Sequence, residues 1–253
     1  MTTVGLHEAR SRPAEHRVQD ELAEFRRLAA QRSGGTSTGS IKGMVVRIVE
    51  ENGIKGRVLD FGAGAGELIN LLSRMNGIEM HGADIMPRPA GIPDAVIWSE
   101  ADLNEELELR DEAFDAVICS EVIEHLENPR SVFRGIARLL RPGGKLVLTT
   151  PNQETLRSYL TLIFRGHFAY FTGANYPAHI TALLRMDLVR ICAETGFSEP
   201  CFVYSGYGWM PITRMSWQRF SFDRLRGRLF SDNLGLVVTR LPKPTQSRAP
   251  AAT

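Results

Sequence analysis

The sequence predicts an α/β fold in which a doubly wound, mostly parallel sheet is covered by helices on both faces. Three observations predict it. Apolar strand-like runs alternate with helical patterns over residues 41–240. Three closely spaced glycines, Gly62, Gly64 and Gly66, follow the first of these runs directly. An aspartate, Asp84, closes the next run eighteen residues after Gly66.

The length of 253 residues suits one well-buried domain with an insertion and is short for two ordinary domains. The expected organisation is a helical arm or lid with its linker over 1–40, the sheet domain over 41–240, and a disordered tail over 241–253. An excursion at 153–180 interrupts the sheet domain. No internal repeat is visible.

In chain order, "EHRVQDELAEFRRLAAQ" at 15–31 is helix-prone, with Val18, Leu22, Phe25 and Leu28 near one stripe, and "SGGTSTGS" after it reads as a flexible connector. The strand-like runs "RVLDFGAG", "EMHGADI", "DAVIWSEAD", "FDAVICSE" and "KLVLTTPN" then alternate with the helical patterns "ELINLLSRMNG" and "PRSVFRGIARLL". "RPGG", Arg141 to Gly144, reads as a helix-to-strand turn. The aromatic segment "LIFRGHFAYFTGANYPAHI" reads as an irregular binding loop or lid. Helix "RMDLVRICAETGF" restores the alternation, and "NLGLVVTRLPKP" supplies a final strand.

Composition removes several classes. Thirty basic and twenty-nine acidic residues leave a formal net charge of +1, so no overall field selects nucleic acid or an anionic membrane. Cys119, Cys192 and Cys201 are odd in number and lack C-x-x-C spacing, and they read as reduced, mostly buried thiols. The N-terminal stretch lacks an apolar core and no run approaches a bilayer span, which makes cytoplasmic the default location.

The glycine turn explains itself physically. Backbone that must turn sharply and approach a ligand cannot carry a Cβ. Asp84 stands where a carboxylate meets ribose hydroxyls in nucleotide-binding βαβ units. Glu67 occupies the place at which the dinucleotide fingerprint wants its third glycine, which disfavours a nicotinamide-dependent oxidoreductase. That class would also need a hydride-handling Tyr/Lys or His pair, and none stands out.

"CSEVIEHLENP", Cys119 to Pro129, puts Glu121, Glu124 and His125 at the carboxyl edge of the sheet if "FDAVI" ends near Ser120. A helical turn there would set the three at i, i+3 and i+4, on one side. Three readings stand beside one another. The carboxylates could favour a helix N-terminus by charge. His125 could act as general base, since an imidazole is tuned near neutral pH. Or the cluster could hold a divalent metal with a distant fourth ligand, His179 or else His167.

Four stretches in this order, "VLDFGAGAG", "GADI", "FDAVICSEVIEHL" and "LLRPGGKLVLTTPN", resemble the class I S-adenosylmethionine-dependent methyltransferases over residues 41–240. The resemblance implies a seven-stranded sheet with the last strand antiparallel. It also implies S-adenosyl-L-methionine as cofactor. Asp60, Gly62, Gly64 and Gly66 would line its methionine portion, Asp84 its ribose, and Asp102 with Leu103 its adenine; Ala63, Ile85 and Ser120 would complete the cofactor site.

"SEVIEHL", "TTPN" and a later lone histidine are similar more narrowly to ubiquinone-pathway O-methyltransferases and to RNA 3′-terminal 2′-O-methyltransferases. That likeness implies a divalent cation, Mg²⁺ or similar, on Glu121, Glu124, His125 and His179; His125 and Glu121 are the candidate catalytic residues. A catechol, vicinal diol or ribose would suit such a site. RNA is disfavoured because "NYPAHITA" is nearly uncharged.

The expected activity is therefore methyl transfer to a small-molecule acceptor, at a hydroxyl oxygen. No nucleic-acid partner and no membrane span are expected, and a homodimer is compatible. Tyr159, Phe164, Phe168, Tyr170, Phe171 and Tyr176 are expected to roof an apolar or aromatic acceptor. Tyr207, Trp209 and Trp217 would shape its pocket. The alternative class is a protein that binds the cofactor and modifies nothing.

Overall fold

The computed structural model describes residues 14–242; the expected tail lies outside the described residues from 243 onward. Two helices come first, α1 (Ala14–Ser33) and α2 (Gly39–Glu51). The expected arm helix is thus present, slightly longer than its apolar stripe suggested.

Seven strands follow in one sheet: β1 (Gly56–Phe61), β2 (Ile78–Asp84), β3 (Ile97–Glu100), β4 (Phe114–Ser120), β5 (Leu140–Pro151), β6 (Cys201–Tyr204) and β7 (Asn233–Thr239). Their spatial order is β3-β2-β1-β4-β5-β7-β6. The pairs among β1 to β5 are parallel, and β7 runs antiparallel to both of its neighbours. This is the mixed seven-stranded sheet the sequence led us to expect.

Alternation along the central strands builds two cores. Leu59, Phe61, Val117, Cys119, Leu146 and Leu148 face one side, where α4 (Pro129–Leu139) and α6 (Arg185–Glu194) contribute Phe133, Ile136, Leu188 and Ile191. Val58, Ala116, Ile118 and Val147 face the other, against Met44, Val45 and Ile48 of α2 and Ile69 and Leu72 of α3 (Glu67–Leu72). Both faces of these strands are apolar because helices cover both.

Two local expectations need correction. "RPGG" is not a turn outside the strand: β5 starts at Leu140 and runs through it. The pairing slips between Phe114 and Ala116, Gly143 takes φ 81°, and the backbone of Gly143 and Gly144 pairs with Arg240. The glycines make a bulge that keeps the strand going. Second, the aromatic excursion contains a helix, α5 (Leu156–Arg165), between a Thr155 cap that accepts from Ser158 N at 2.9 Å and a left-handed Gly166. Only the stretch after it is irregular.

The remaining elements are short. 3₁₀ turns span Ile123–His125 and Arg228–Phe230. A one-turn helix, α7 (Trp217–Phe220), lies between β6 and β7. Among the described residues no helix is long and apolar enough to cross a membrane.

Candidate active site

A cavity of about 670 Å³ opens at the carboxyl ends of β1, β2 and β4, where an open α/β sheet binds its ligands. Asp60, next to last in β1, stands inside this cavity, 1% exposed, and neither carboxylate oxygen has a hydrogen-bond partner. Burial, and then the charge of Asp84, push its pKa up to about 7. A buried carboxylate without a donor is a group waiting for one.

Asp84 is held differently. Its Oδ2 accepts from Gly64 N at 2.8 Å and its Oδ1 from Met86 N at 2.9 Å, which fixes the carboxylate beside the glycine turn. Gly64 itself has φ 49°, and a Cβ there would fall 2.3 Å from the carbonyl oxygen of Gly35. The arm's connector therefore lies directly on the turn, and Ala65 N donates to that same carbonyl at 2.9 Å. Gly62, Ala63, Ile85, Leu103 and Ser120 also line the cavity, and Ser120 shares a 2.9 Å hydrogen bond with Thr149. Gly66 does not line it: a Cβ there would strike Ile92 at 2.3 Å, so this glycine serves the packing behind the turn.

Asp102 reaches the cavity rim with both oxygens engaged. Arg26 of α1 donates to its Oδ2 at 2.7 Å, and Asn104 donates to its Oδ1 through backbone and side chain at 2.9 and 3.1 Å. The same guanidinium binds Glu127 with two nitrogens, at 2.9 and 2.8 Å, and reaches Glu105 at 3.2 Å. The arm is clamped across the cavity mainly by this arginine, with Arg27 binding Glu100 at 3.0 Å beside it, and no motif announced either.

The acidic cluster lies at the other end. Its helical arrangement needs correction: Glu121 has φ 56° and sits in a bend, and the next α-helix, α4, starts only at Pro129 with its own Asn128 cap. Charge at a helix start therefore does not explain these carboxylates. Glu121 accepts from Asn233 Nδ2 at 2.9 Å through Oε2 and leaves Oε1 unpartnered. Glu124 is fully buried, accepts from Thr150 Oγ1 at 3.1 Å, and also leaves Oε1 unpartnered. Burial raises both, Glu124 to about 8, and the charge of Glu124 adds to the rise at Glu121.

His125 Nδ1 donates to the carbonyl of Ala178 at 2.7 Å, and His179 Nδ1 donates to that of Tyr170 at 2.8 Å. Each bond leaves Nε2 of a neutral ring with its lone pair free. Burial lowers the pKa of both, and His125 lowers that of His179 further. The rings stand 4.9 Å apart between centroids. One donor atom each of Glu124, His125 and His179 lies within 4.8 Å of the others. His167, the other candidate, bonds the neighbouring Phe168 carbonyl and is not in this group.

The donor set fits a divalent cation. The unpartnered Glu124 Oε1 and two imidazoles oriented by backbone carbonyls are the ligand types and supporting hydrogen bonds such ions use, whereas Glu121, expected as a further ligand, lies outside this group.

The aromatic roof is smaller than expected. Tyr170 and Tyr176 line the cavity, and Phe171 packs on His179 at 5.5 Å. Phe164 is 78% exposed and turns to a second groove. Tyr207 and Trp209 reach the cavity together, whereas Trp217 packs on Phe230. Asp232 and Asn233 at the start of β7 complete this end, and no motif pointed to them.

A family model described as a methyltransferase domain matches residues 14–198. The chain is 33% identical over 120 residues to a ubiquinone biosynthesis O-methyltransferase of Dechloromonas aromatica, covering 44% of this chain and 51% of that one. With the enzyme of the same name from Xanthomonas oryzae pv. oryzae it shares 32% over 148 residues, 51% of this chain and 60% of that one. The chain thus spans about half the length of the curated relatives it matches.

Among solved structures, a SAM-dependent methyltransferase from Archaeoglobus fulgidus superposes with TM-score 0.59 at 20% identity, over 83% of this chain and 97% of that one. The 1,6-didemethyltoxoflavin-N1-methyltransferase of Burkholderia thailandensis, solved with its acceptor and S-adenosylhomocysteine, gives TM-score 0.59 at 14% identity over 91% and 92%. These two likenesses establish the fold.

Proposed function

We propose a reaction for a chain that belongs to the methyltransferase-domain family: transfer of a methyl group from S-adenosylmethionine to a hydroxyl oxygen of a small molecule, assisted by a divalent cation. The observation that carries it is one cavity with two ends. The unpartnered Asp60 carboxylate and the glycine turn lie at one end, and Glu124, His125 and His179 converge at the other.

S-adenosylmethionine supplies a methyl already activated on a sulfonium, so the chain mainly has to align and enclose the reactants. Such positioning is worth roughly 7 to 11 kcal/mol. Asp60, buried and lacking donors, suits the cofactor's ammonium group; Asp84, anchored on Gly64 and Met86, suits ribose hydroxyls. Asp102 can still receive the adenine amine on a remaining lone pair.

At the acceptor end burial keeps His125 unprotonated near neutral pH, so its free Nε2 lone pair is available to the cation, and it can take the hydroxyl proton only where no cation occupies it. Glu124, His125 and His179 would hold the cation, which when bound lowers the pKa of an acceptor hydroxyl. Tyr170, Tyr176 and Trp209 present an apolar wall that suits an aromatic acceptor. The names of the ubiquinone-pathway relatives support oxygen as the target.

The test pairs calorimetry with turnover. Mg²⁺ or Mn²⁺ titrated into chelator-stripped protein saturated with S-adenosylhomocysteine should bind stoichiometrically in wild type and lose at least tenfold in affinity in Glu124→Gln. Catechols should be methylated at oxygen, and chelator should suppress this turnover. Transfer to amines only, or turnover indifferent to both chelator and His125→Ala, would sink the proposal.

A further inference from the structure

The chain's net charge of +1 hides a strong local imbalance. From Thr155 to Met186 the sequence has three arginines and no Asp or Glu, and from Ser205 to Ser231 it has five arginines and the single Asp223. Arg157, Arg185 and Arg226 are paired with acids. Among the described residues, Arg165, Arg214, Arg219, Arg224 and Arg228 form no ion pair.

The same two segments carry the most exposed large apolar side chains of the described chain: Ile212 at 102%, Phe222 at 88%, Phe164 at 78% and Ile163 at 72%. Folding gains nothing by leaving them in water, and apolar groups gathered among like charges mark an interaction surface. Two of them are gathered in one groove between α5 and residues 209–214, which brings Phe164 and Ile212, with Met210, together with Arg157, Arg165 and Arg214, and Ile163 adjoins Phe164 on α5. This groove shares Tyr170 and Trp209 with the acceptor end of the main cavity, so the surface adjoins the site.

We propose that this face, α5 with the loop around Ile212, docks on an anionic lipid surface, with Ile163, Phe164 and Ile212 entering the headgroup boundary and Arg165 and Arg214 pairing with lipid phosphates. Two features favour lipid over nucleic acid. Isoleucines at the outermost points have no ring on which a base could stack, whereas they partition into acyl chains. Arginine stems can lie along apolar surface while their heads reach phosphate. An acidic protein surface would satisfy the arginines and leave the exposed isoleucines and phenylalanines without apolar partners. The sequence-level expectation of no anionic-membrane field came from a whole-chain sum, which cannot register a patch. The proposal does not depend on which acceptor is methylated.

The experiment is flotation of the full chain with phosphatidylcholine vesicles, with and without about one-third phosphatidylglycerol, at low and at physiological salt. Wild type should float with the anionic vesicles only. Ile163→Ser combined with Ile212→Ser should weaken that binding by on the order of tenfold or more, and Arg165→Glu combined with Arg214→Glu should do likewise. All four positions are on the surface, and unchanged circular dichroism and S-adenosylhomocysteine affinity would exclude misfolding as the cause. Failure of wild type to float at low salt would overturn the proposal. So would binding that survives the serine variant, or a single-stranded oligonucleotide that displaces the protein from vesicles and whose own binding the serine variant leaves unchanged.

Discussion

Burial of Asp60 ties the stability of the cofactor-free protein to pH. Its pKa near 7 in the folded chain lies above the ordinary 3.8, so between about pH 4 and pH 7 the folded state keeps a proton that the unfolded state has lost. Stability should therefore fall as pH rises through that window, by on the order of 4 kcal/mol at most. In Asp60→Asn this limb should shrink to the part that the raised Glu121 and Glu124 contribute: urea midpoints should match wild type near pH 4 and exceed it at pH 8, while S-adenosylhomocysteine binds more weakly. Parallel wild-type and variant profiles would show that the carboxylate is not the source. The cavity's lining was legible where a residue lies at a strand's end or in the glycine turn, as Asp60, Gly64 and Asp84 do. Glu121 was misread in its geometry, since nothing local in "CSEVIEH" announces a left-handed glutamate, which is held by the Thr149 carbonyl and Asn233 from distant strands.

At the scale of elements the arm matters most. α1 was legible from its apolar stripe, but its docking was not, because Arg26 and Asp102 are far apart in sequence and charged surface residues carry no positional signal. Arg26 is the main tie we find, and its removal should loosen the arm. Arg26→Ala should speed S-adenosylhomocysteine dissociation by roughly tenfold, the value of a hydrogen-bonded ion pair at a mostly buried guanidinium. It should also open the connector near Gly34 and Gly35 to protease. Stopped-flow dissociation unchanged from wild type, with the connector still protected, would count against a closing role for the arm. α5 escaped the sequence reading because its aromatic and β-branched residues are weak helix formers, and the Thr155 cap and Gly166 terminator that fix it lie among residues that look like loop.

For the whole molecule, alternation of strands with helices was enough to read the sheet and its two covered faces, since period-2 and period-3.6 patterns survive in strands buried on both sides of a core. The bulge at "RPGG" was not readable, because it depends on pairing with Arg240, a residue of the chain's far end. Because the cofactor cavity is bounded by α1, the glycine turn and β4 together, its ligand should stabilise the whole fold. S-adenosylhomocysteine at about a thousand times its Kd should contribute about 4 kcal/mol and raise Tm by roughly 8 to 16 °C. A shift of under two degrees at that saturation would mean that the cavity is not where it binds.

The place of β7 in the sheet sets the order in which the chain can finish folding during synthesis. It is the last of the seven strands to be synthesised, yet it lies between β5 and β6. Until Asn233–Thr239 emerges, β5 has an open edge and β6 has no strand partner at all, with α7 and the arginine-rich segment synthesised in between. Open edges recruit other strands. Messages truncated anywhere from residue 205 to 232 would thus yield chains that carry nearly all of the cofactor site and still aggregate, which makes the emergence of β7 the step at which the sheet closes or is lost.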